Sequence, residues 1–354
     1  MKNLEFRAHN IKRKTIQLLI LGLGLLICSN STGAPLKLKF TEGDKYSFIS
    51  VTERKITNII EQNEVTTEET IRLENDFEVQ EVDEKGFAWV KYTYKRVAMK
   101  VITPEQKIDF DSDSNQPRTP IQAAPYRLAI GESLYLRLSP QGRVEKINGL
   151  QSVVTFAKAK IRGMGGAQAI SAGIEQAFSE LEVKHTLENQ IGVFPEANNI
   201  GPVWSSTEIL LSSQAGYPRL AQIEDVNIVY ERMYKLAGTG ADGISIVDVN
   251  MKISSMSELM DIKGGKVEGQ NTNLKASLDI SGQGNGQIEI EQSTGRIINS
   301  KITQDSTQKA IMVATGEMRR PPSAPKPVKT HIVMNFSMLK IDTDRPKLPN
   351  DVNK

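Results

Sequence analysis

Between positions 71 and 79 the apolar residues fall on every second place: Ile71, Leu73, then Asn75, then Phe77 and Val79. This is the period of a strand with one buried face, interrupted once by a polar residue. The same run recurs 157 positions later as Ile228, Tyr230, Arg232, Tyr234 and Leu236, again with a polar residue at the centre. After turns at 83–86 and 241–243, each copy resumes with two large residues on one face, Phe87 and Trp89 or Ile244 and Ile246. Each then alternates on the other face, as Val90, Tyr92, Tyr94 or Val247, Val249, Met251. A slip of one residue reverses every side chain of a strand, so agreement in phase over about 20 positions reads as a duplication.

Two weaker correspondences flank the pair. Gly43-Asp44-Lys45-Tyr46-Ser47 and Gly201-Pro202-Val203-Trp204-Ser205 each set a glycine and an aromatic before a strand. The hairpins YLRLSPQGRV, from Tyr135, and IEIEQSTGRI, from Ile288, share a Gly-Arg exit. Their aliphatic phase differs by one residue, which requires a longer turn or a bulge in the second copy.

Between the copies the period changes. Ile170, Ile174, Ala177, Phe178 and Leu181 have helical spacing, with Leu187 and Ile191 beyond them and Pro195 as a stop. An earlier helical run covers 150–161, and Gly163, Gly165 and Gly166 form a joint before the stripe. Two or three helices packed on the sheets are expected. The stripe either fills the core between the two β units or forms a lid over an apolar groove. The segment RRPPSAPKPVK, 319–329, reads as a polyproline-like loop before a last strand at 330–339.

The predicted fold is therefore mainly antiparallel β, of the α+β class, with two related β-sheet units and a central helical segment. The expected boundaries are 34–149 for the first unit, 150–195 for the helices, 196–342 for the second unit and 343–354 for a loose tail.

The chain begins with Lys12, Arg13 and Lys14, an apolar run at 15–28, and small or polar residues up to Ala34. At about 13 apolar residues the run falls short of the roughly 20 that span a bilayer, and it fits an export signal cut near Gly33. No later segment is apolar enough to cross as a helix. Removing 1–33 takes five basic residues and one acidic residue from the 44 and 42 of the chain, leaving a net charge near −2. That balance offers no basic footprint for nucleic acid. Cys28 is the only cysteine and lies in the signal, where large Ile27 before it disfavours lipid attachment. The mature chain then has no thiol chemistry and no disulfide.

The stretches KFTEGDKYSF (39–48), VDEKGFAWVKYTYKRVAMKV (82–101), IDFDSDS (108–114), GESLYLRLSPQGRVEKINGL (131–150) and IEIEQSTGRI (288–297) resemble a family of exported bacterial proteins of unknown function. The resemblance implies export and a β-rich fold and brings no catalytic residues. It departs from the family in the second-half landmark, which usually reads Gly-Asp before the aromatic, whereas here Pro202 and Val203 intervene before Trp204.

Candidate chemistry is sparse. Gly238, Gly240 and Gly243 have dinucleotide-loop spacing, but ISIVDVNM after them alternates as a strand, so they read as a hairpin connection and no nucleotide is expected. Asp109, Asp111, Asp113 and Asn115 alternate as oxygen donors to calcium do. Ser114 and Pro120 stand where a helix-flanked calcium loop has glycine and glutamate, and the stretch reads as a solvated acidic loop. His185 and His331 are isolated in sequence, no HExxH or GxSxG motif occurs, and Ser323 and Lys326 lie in the proline-rich loop. Carboxylates brought together by folding leave no local signature. Trp89, Tyr92, Tyr94, Trp204, Tyr230 and Tyr234 serve either as packing or as the wall of a cleft.

No catalytic, cofactor-binding or metal residue is assigned, and no cofactor is expected. The function expected is a non-catalytic binding or scaffold role in the cell envelope, with an apolar ligand or an envelope protein as partner. Curved sheets that wrap helices, as in the envelope lipoprotein carriers, are one arrangement this order allows. The alternative is a carboxylate-based extracytoplasmic hydrolase. Intact mass of the exported protein is expected to show a chain beginning near Ala34 and no diacylglycerol on Cys28.

Overall fold

A computed structural model describes residues 36–60, 63–114, 119–162, 166–194, 203–211, 226–239, 242–255, 260–262, 266–267, 270–271, 273–315 and 328–341. The chain divides into two compact units, and the smaller, 1–35 with 197–202, lies outside these residues. The larger unit contains β1 (Lys45–Ile60), β2 (Asn63–Val82), β3 (Ala88–Ile102), β4 (Lys107–Asp111), α1 (Ala124–Ala129), β5 (Ser133–Leu138), β6 (Val144–Asn148), α2 (Leu150–Lys160), α3 (Ala167–Ala177) and α4 (Glu180–Ile191). It continues with β7 (Val203–Leu211), β8 (Asn227–Thr239), β9 (Ile244–Ser255), β10 (Met260–Ile262), β11 (Lys266–Val267), β12 (Gln270–Asn271), β13 (Asn273–Glu291), β14 (Arg296–Thr315) and β15 (Val328–Ile341).

The two predicted β units join in one 13-stranded sheet, ordered β6-β5-β3-β2-β1-β15-β14-β13-β9-β8-β7, with β4 on β3 and β10 on β13. Each unit runs through its strands in the same direction. The duplication holds at the level of register. Phe77 faces Tyr92 as Tyr234 faces Val249, and Val79 faces Val90 as Leu236 faces Val247. The bulge after Val79, before Glu81, recurs after Leu236, before Gly238. Tyr46 stacks on Phe77 at 5.3 Å between ring centroids, and Trp204 stacks on Tyr234 at 5.4 Å. The flanking matches seen in the sequence are thus structural too.

The phase difference between the hairpins also resolves. Leu136 and Leu138 of β5 pair with Val90 and Ala88, and Ile288 and Ile290 of β13 pair with Val247 and Ser245. Residues 139–143 separate buried Leu138 from buried Val144, while residues 291–296 separate Ile290 from Ile297, one residue more. The second copy also carries a bulge between Glu289 and Ile290, as expected, and the first has its own between Arg137 and Leu138. The stretch around Gly238 is a connection between antiparallel β8 and β9, with Gly243 at φ 71; Gly240 lies outside the described residues.

β15 has no counterpart in the first unit. It pairs with β14 on one side and with β1 on the other, welding the two copies. The opposite ends of the sheet, β6 and β7, have no described strand between them. The sheet curls: α4 places side chains on β6, β1 and β7, strands that a flat sheet would spread over tens of ångströms at ~4.8 Å per strand.

Three helices follow the first copy, as expected, and α1 adds a short turn the sequence did not announce. Gly166, at φ 77, starts α3; Gly163 and Gly165 lie outside the described residues. α4 opens on a side-chain N-cap, with Ser179 Oγ accepting from the Glu182 N–H at 3.2 Å, and ends at Gly192 rather than at Pro195, which is outside the described residues. Of the predicted stripe, Ile170, Ile174 and Phe178 enter the main core, where Phe178 packs edge-on against Tyr94 at 5.6 Å. Leu181 does not: it sits on the solvent side of the first turn of α4 and is 49% exposed. The stripe breaks because the chain leaves α3 at Phe178 and restarts a helix at Ser179 with a new phase.

Ile174→Ala is expected to cost roughly 2–5 kcal/mol in chemical denaturation. Leu181→Ala is expected to stay within about 0.5 kcal/mol of the parent.

Candidate functional site

The Ser179 N-cap and the face Val183, Leu187, Gln190, Ile191 lay α4 across the inner side of the curled sheet. A cavity of about 430 Å³ lies between them. Its apolar walls include Ile71 and Leu73 from the first unit and Tyr230, Met251, Ile288 and Ile302 from the second. Its floor on the central strands is polar, with Ser50, Ser300 and Gln304 buried and Arg54 farther along β1.

One end of the cavity holds an ion cluster. His185 Nδ1 lies 2.7 Å from Glu208 Oε1, and Arg232 Nη1 donates to Glu208 Oε2 at 2.6 Å. His185 Nε2 is 2.9 Å from Asn189 Nδ2, so both ring nitrogens are engaged, and among the described residues neither is bonded to a hydroxyl. Burial pushes the Glu208 carboxyl up, but the His185 hydrogen bond and the charge of Arg232 outweigh it and hold the group at about 2. Glu182 and Glu188 also line the cavity, and burial raises both, against the charges of His185 and Arg54 at Glu182 and the Val144 N–H at Glu188. That N–H donates to Glu188 Oε1 at 2.9 Å, so α4 ties to the exposed edge of β6 through Glu188 and to β7 through His185.

The duplication explains where this cluster sits. Arg232 occupies in β8 the place Asn75 occupies in β2, and counting from the matched Tyr46 and Trp204, Glu208 in β7 answers to Ser50 in β1. Gln190 Nε2 donates to Ser50 Oγ at 3.3 Å, so α4 touches both members of that pair. Ser50 and Asn75 are both buried, and neither Asn75 Oδ1 nor Nδ2 has a partner.

The residues weighed in the sequence separate. Tyr92, Tyr94, Trp204, Tyr230 and Tyr234 line the cavity and pack at the same time, whereas half-buried Trp89 points to the other face. His185 is in the cluster; His331 is on β15, 2.7 Å from Asp305. Asp111 is held by the Arg96 guanidinium, with Nε at 3.0 Å, and by the Asp113 N–H at 3.0 Å; these interactions hold its carboxyl below the usual range. Asp109 lies in β4, and Asn115, Ser323 and Lys326 fall outside the described residues. Sequence reasoning missed Glu208 and treated Arg232 only as an interruption. Trp204, Ser206, Glu208 and Leu210 share one strand face, and an acid between Trp204 and Leu210 on that face was the available signal. Among the described residues no helix is long and apolar enough to cross a membrane.

Glu208, depressed from 4.5 to about 2, contributes stability that is present above the unfolded value and lost as pH falls through that window. Glu208→Gln is expected to lower stability by roughly 2–4 kcal/mol at neutral pH, because Arg232 loses its carboxylate, and to flatten the acid limb of a denaturation series. Glu182→Gln has the opposite sign: its raised carboxyl is unfavourable when charged, so the variant gains stability at neutral pH and loses that gain in acid.

No curated protein matches the chain. Among solved structures it is similar to a lipovitellin studied for its lipid–protein interactions, at 12% identity and a TM-score of 0.41, with 88% of this chain covering 26% of that one. It is also similar to OccK5 (OpdH) of Pseudomonas aeruginosa, at 6% identity and a TM-score of 0.22, covering 84% of this chain and 99% of that one. Scores this low do not establish a shared fold. The family of unknown function DUF6263 matches residues 85–297, from the turn before β3 to the start of β14. That span is more than half of the sequence and takes in β3 to β13 and all of the described helices, and the chain belongs to that family.

Proposed function

We propose that the protein is an exported, non-catalytic binding protein that holds an apolar ligand between α4 and the inner face of the sheet. The observation that carries the reading is the cavity itself. A space of 430 Å³ bounded in part by apolar side chains leaves those side chains without packed neighbours on one side. Water satisfies the ion cluster but gains little along Ile71, Leu73, Met251 and Ile302. An apolar chain there recovers the missing contacts, and the volume falls within the ~300–1,000 Å³ of small-molecule sites. Export rests on the basic, apolar and small-residue order of positions 12–34.

A hydrolase is the second reading, favoured by one feature: the cavity contains carboxyls whose environments push them apart, Glu208 down and Glu182 and Glu188 up. Against it, both oxygens of Glu208 are committed to His185 and Arg232, and Glu188 is committed to a backbone N–H.

Native mass spectrometry of the exported protein is expected to show a bound apolar molecule released by organic solvent. Leu73→Trp, which fills the cavity from β2, is expected to weaken uptake of a fluorescent apolar dye by about tenfold or more, as 1.4 kcal/mol would. Unchanged uptake in this variant, with turnover of an ester or glycoside that Glu182→Gln abolishes, favours the hydrolase instead.

A further inference from the structure

Three arginines line the cavity, and they differ in what they hold. Arg54 pairs with Glu69 and Arg232 with Glu208, so a ligand anion that took either would strand a half-buried carboxylate. Arg143 makes no ion pair and no side-chain hydrogen bond among the described residues. Its place at the end of α4 is fixed by its neighbours in the β5–β6 hairpin: Gly142 meets the carbonyl of Gly192, and the Val144 N–H donates to Glu188. Arg143 is exposed and yet lines the cavity, which puts its side chain where the cavity meets solvent. Glu188 shares this end, but one of its oxygens takes the Val144 N–H, Lys184 lies 3.9 Å from it, and burial holds its carboxyl above the usual range. Two cations thus stand against one carboxylate there. The other unpaired group is Glu182, in the first turn of α4 and ~9 Å before Glu188 along the helix axis at 1.5 Å per residue. Its carboxyl lines the cavity with no ion pair or hydrogen bond among the described residues. The lining is therefore polarised, cationic beside the end of α4 and acidic toward its start.

Resting on the binding reading above, we infer that the ligand is a single-chain carboxylate of the fatty-acid class, its chain against the apolar walls and its carboxylate on Arg143. A guanidinium meets a carboxylate with two parallel N–H···O bonds, a match that a point charge does not offer. At the opening the anion keeps part of its hydration, so it avoids most of the desolvation that penalises a buried ion. Glu182 sets the direction, since it repels an anion and leaves the head group the Arg143 end to occupy. The volume, near the lower end for ligand sites, suits one chain rather than two.

Displacement of a fluorescent apolar dye from the delipidated full-length protein tests this with three ligands of one chain length: myristate, methyl myristate and tetradecylammonium. At about pH 8 the first is ionised and the last is protonated. Myristate is expected to displace the dye about tenfold more tightly than its methyl ester, the worth of one charge-assisted contact at a partly hydrated site, and more tightly than the amine. Salt at about 0.5 M is expected to narrow that preference, because the contact lies at the opening. Arg143→Gln is expected to bring myristate to the level of the ester and to leave the ester unchanged, whereas Glu182→Gln is expected to keep myristate first. The comparison among ligands in the parent protein decides the matter even where a variant does not fold. Equal displacement by myristate and the ester, or strongest displacement by the amine, overturns the head-group assignment and leaves apolar binding standing. A parent protein that takes up neither dye nor any of the three chains overturns the binding reading along with it.

Discussion

An antiparallel sheet has two edges, each a row of unpaired N–H and C=O groups that must be paired, covered or made unattractive. Two copies of one meander present four. The chain deals with two of them by placing β15 between β14 and β1, so that the copies become one sheet in which each is read in the same direction. The remaining two, β6 and β7, are left at the ends, and they are brought to one helix. Glu188 of α4 takes a backbone N–H of β6, while His185, one turn earlier, takes Glu208 of β7. The curl of the sheet, the position of the cavity and the presence of buried charge all follow from having a strand at one junction and a helix at the other.

The glycines at the two hairpins show how closely the two junctions correspond. Gly142, at φ 81 in the β5–β6 turn, meets the carbonyl of Gly192 where α4 ends, and Gly295, at φ 72 in the β13–β14 turn, meets the carbonyl of Lys37 ahead of β1. A side chain at either position overlaps that backbone. Beside them, the Phe194 N–H donates to Gln141 O at 2.8 Å and the Lys39 N–H donates to Thr294 O at 2.7 Å. Each hairpin therefore holds the segment that enters the other copy, and the chain stays closely packed at both junctions although only one has a strand in it.

The repeat was legible because strand phase is unforgiving. Tyr46 with Phe77 and Trp204 with Tyr234 are readable as cross-strand partners once the 157-residue offset is seen, and the structure stacks them alike. Which edges would join was not legible, since β15 has a strand pattern but nothing in Ile332 or Thr330 names its neighbours. The site was half visible. Arg232 stood out as a polar residue on an apolar face, and so did Asn75, yet only Arg232 gained a carboxylate. The difference lies on the adjacent strand, where Glu208 replaces Ser50, and in α4, where His185 is placed to meet it. A pairing that needs three elements distant in sequence leaves no local mark. Leu181 shows the reverse error: helical spacing continued across Phe178 and Ser179 in the sequence, although the chain ends one helix and caps another there.

The cavity has a structural origin in the same duplication. Two related units present two apolar inner faces, but the chain carries one helical insert, and it follows the first copy. α1, α2 and α3 fill that copy: Ile174, Phe178, Val153 and Ala157 close the space over Tyr92, Tyr94, Leu134 and Leu136. The second copy has no insert of its own among the described residues. Its inner residues Tyr230 and Met251 are buried in a second cluster with Leu210, Ile228, Ile253 and Ile280, and the cavity lies where α4 crosses between that cluster and the main core. Close packing is the rule for interiors, and each half meets it with its own buried cluster, so the space under α4 is confined to the seam between the two clusters.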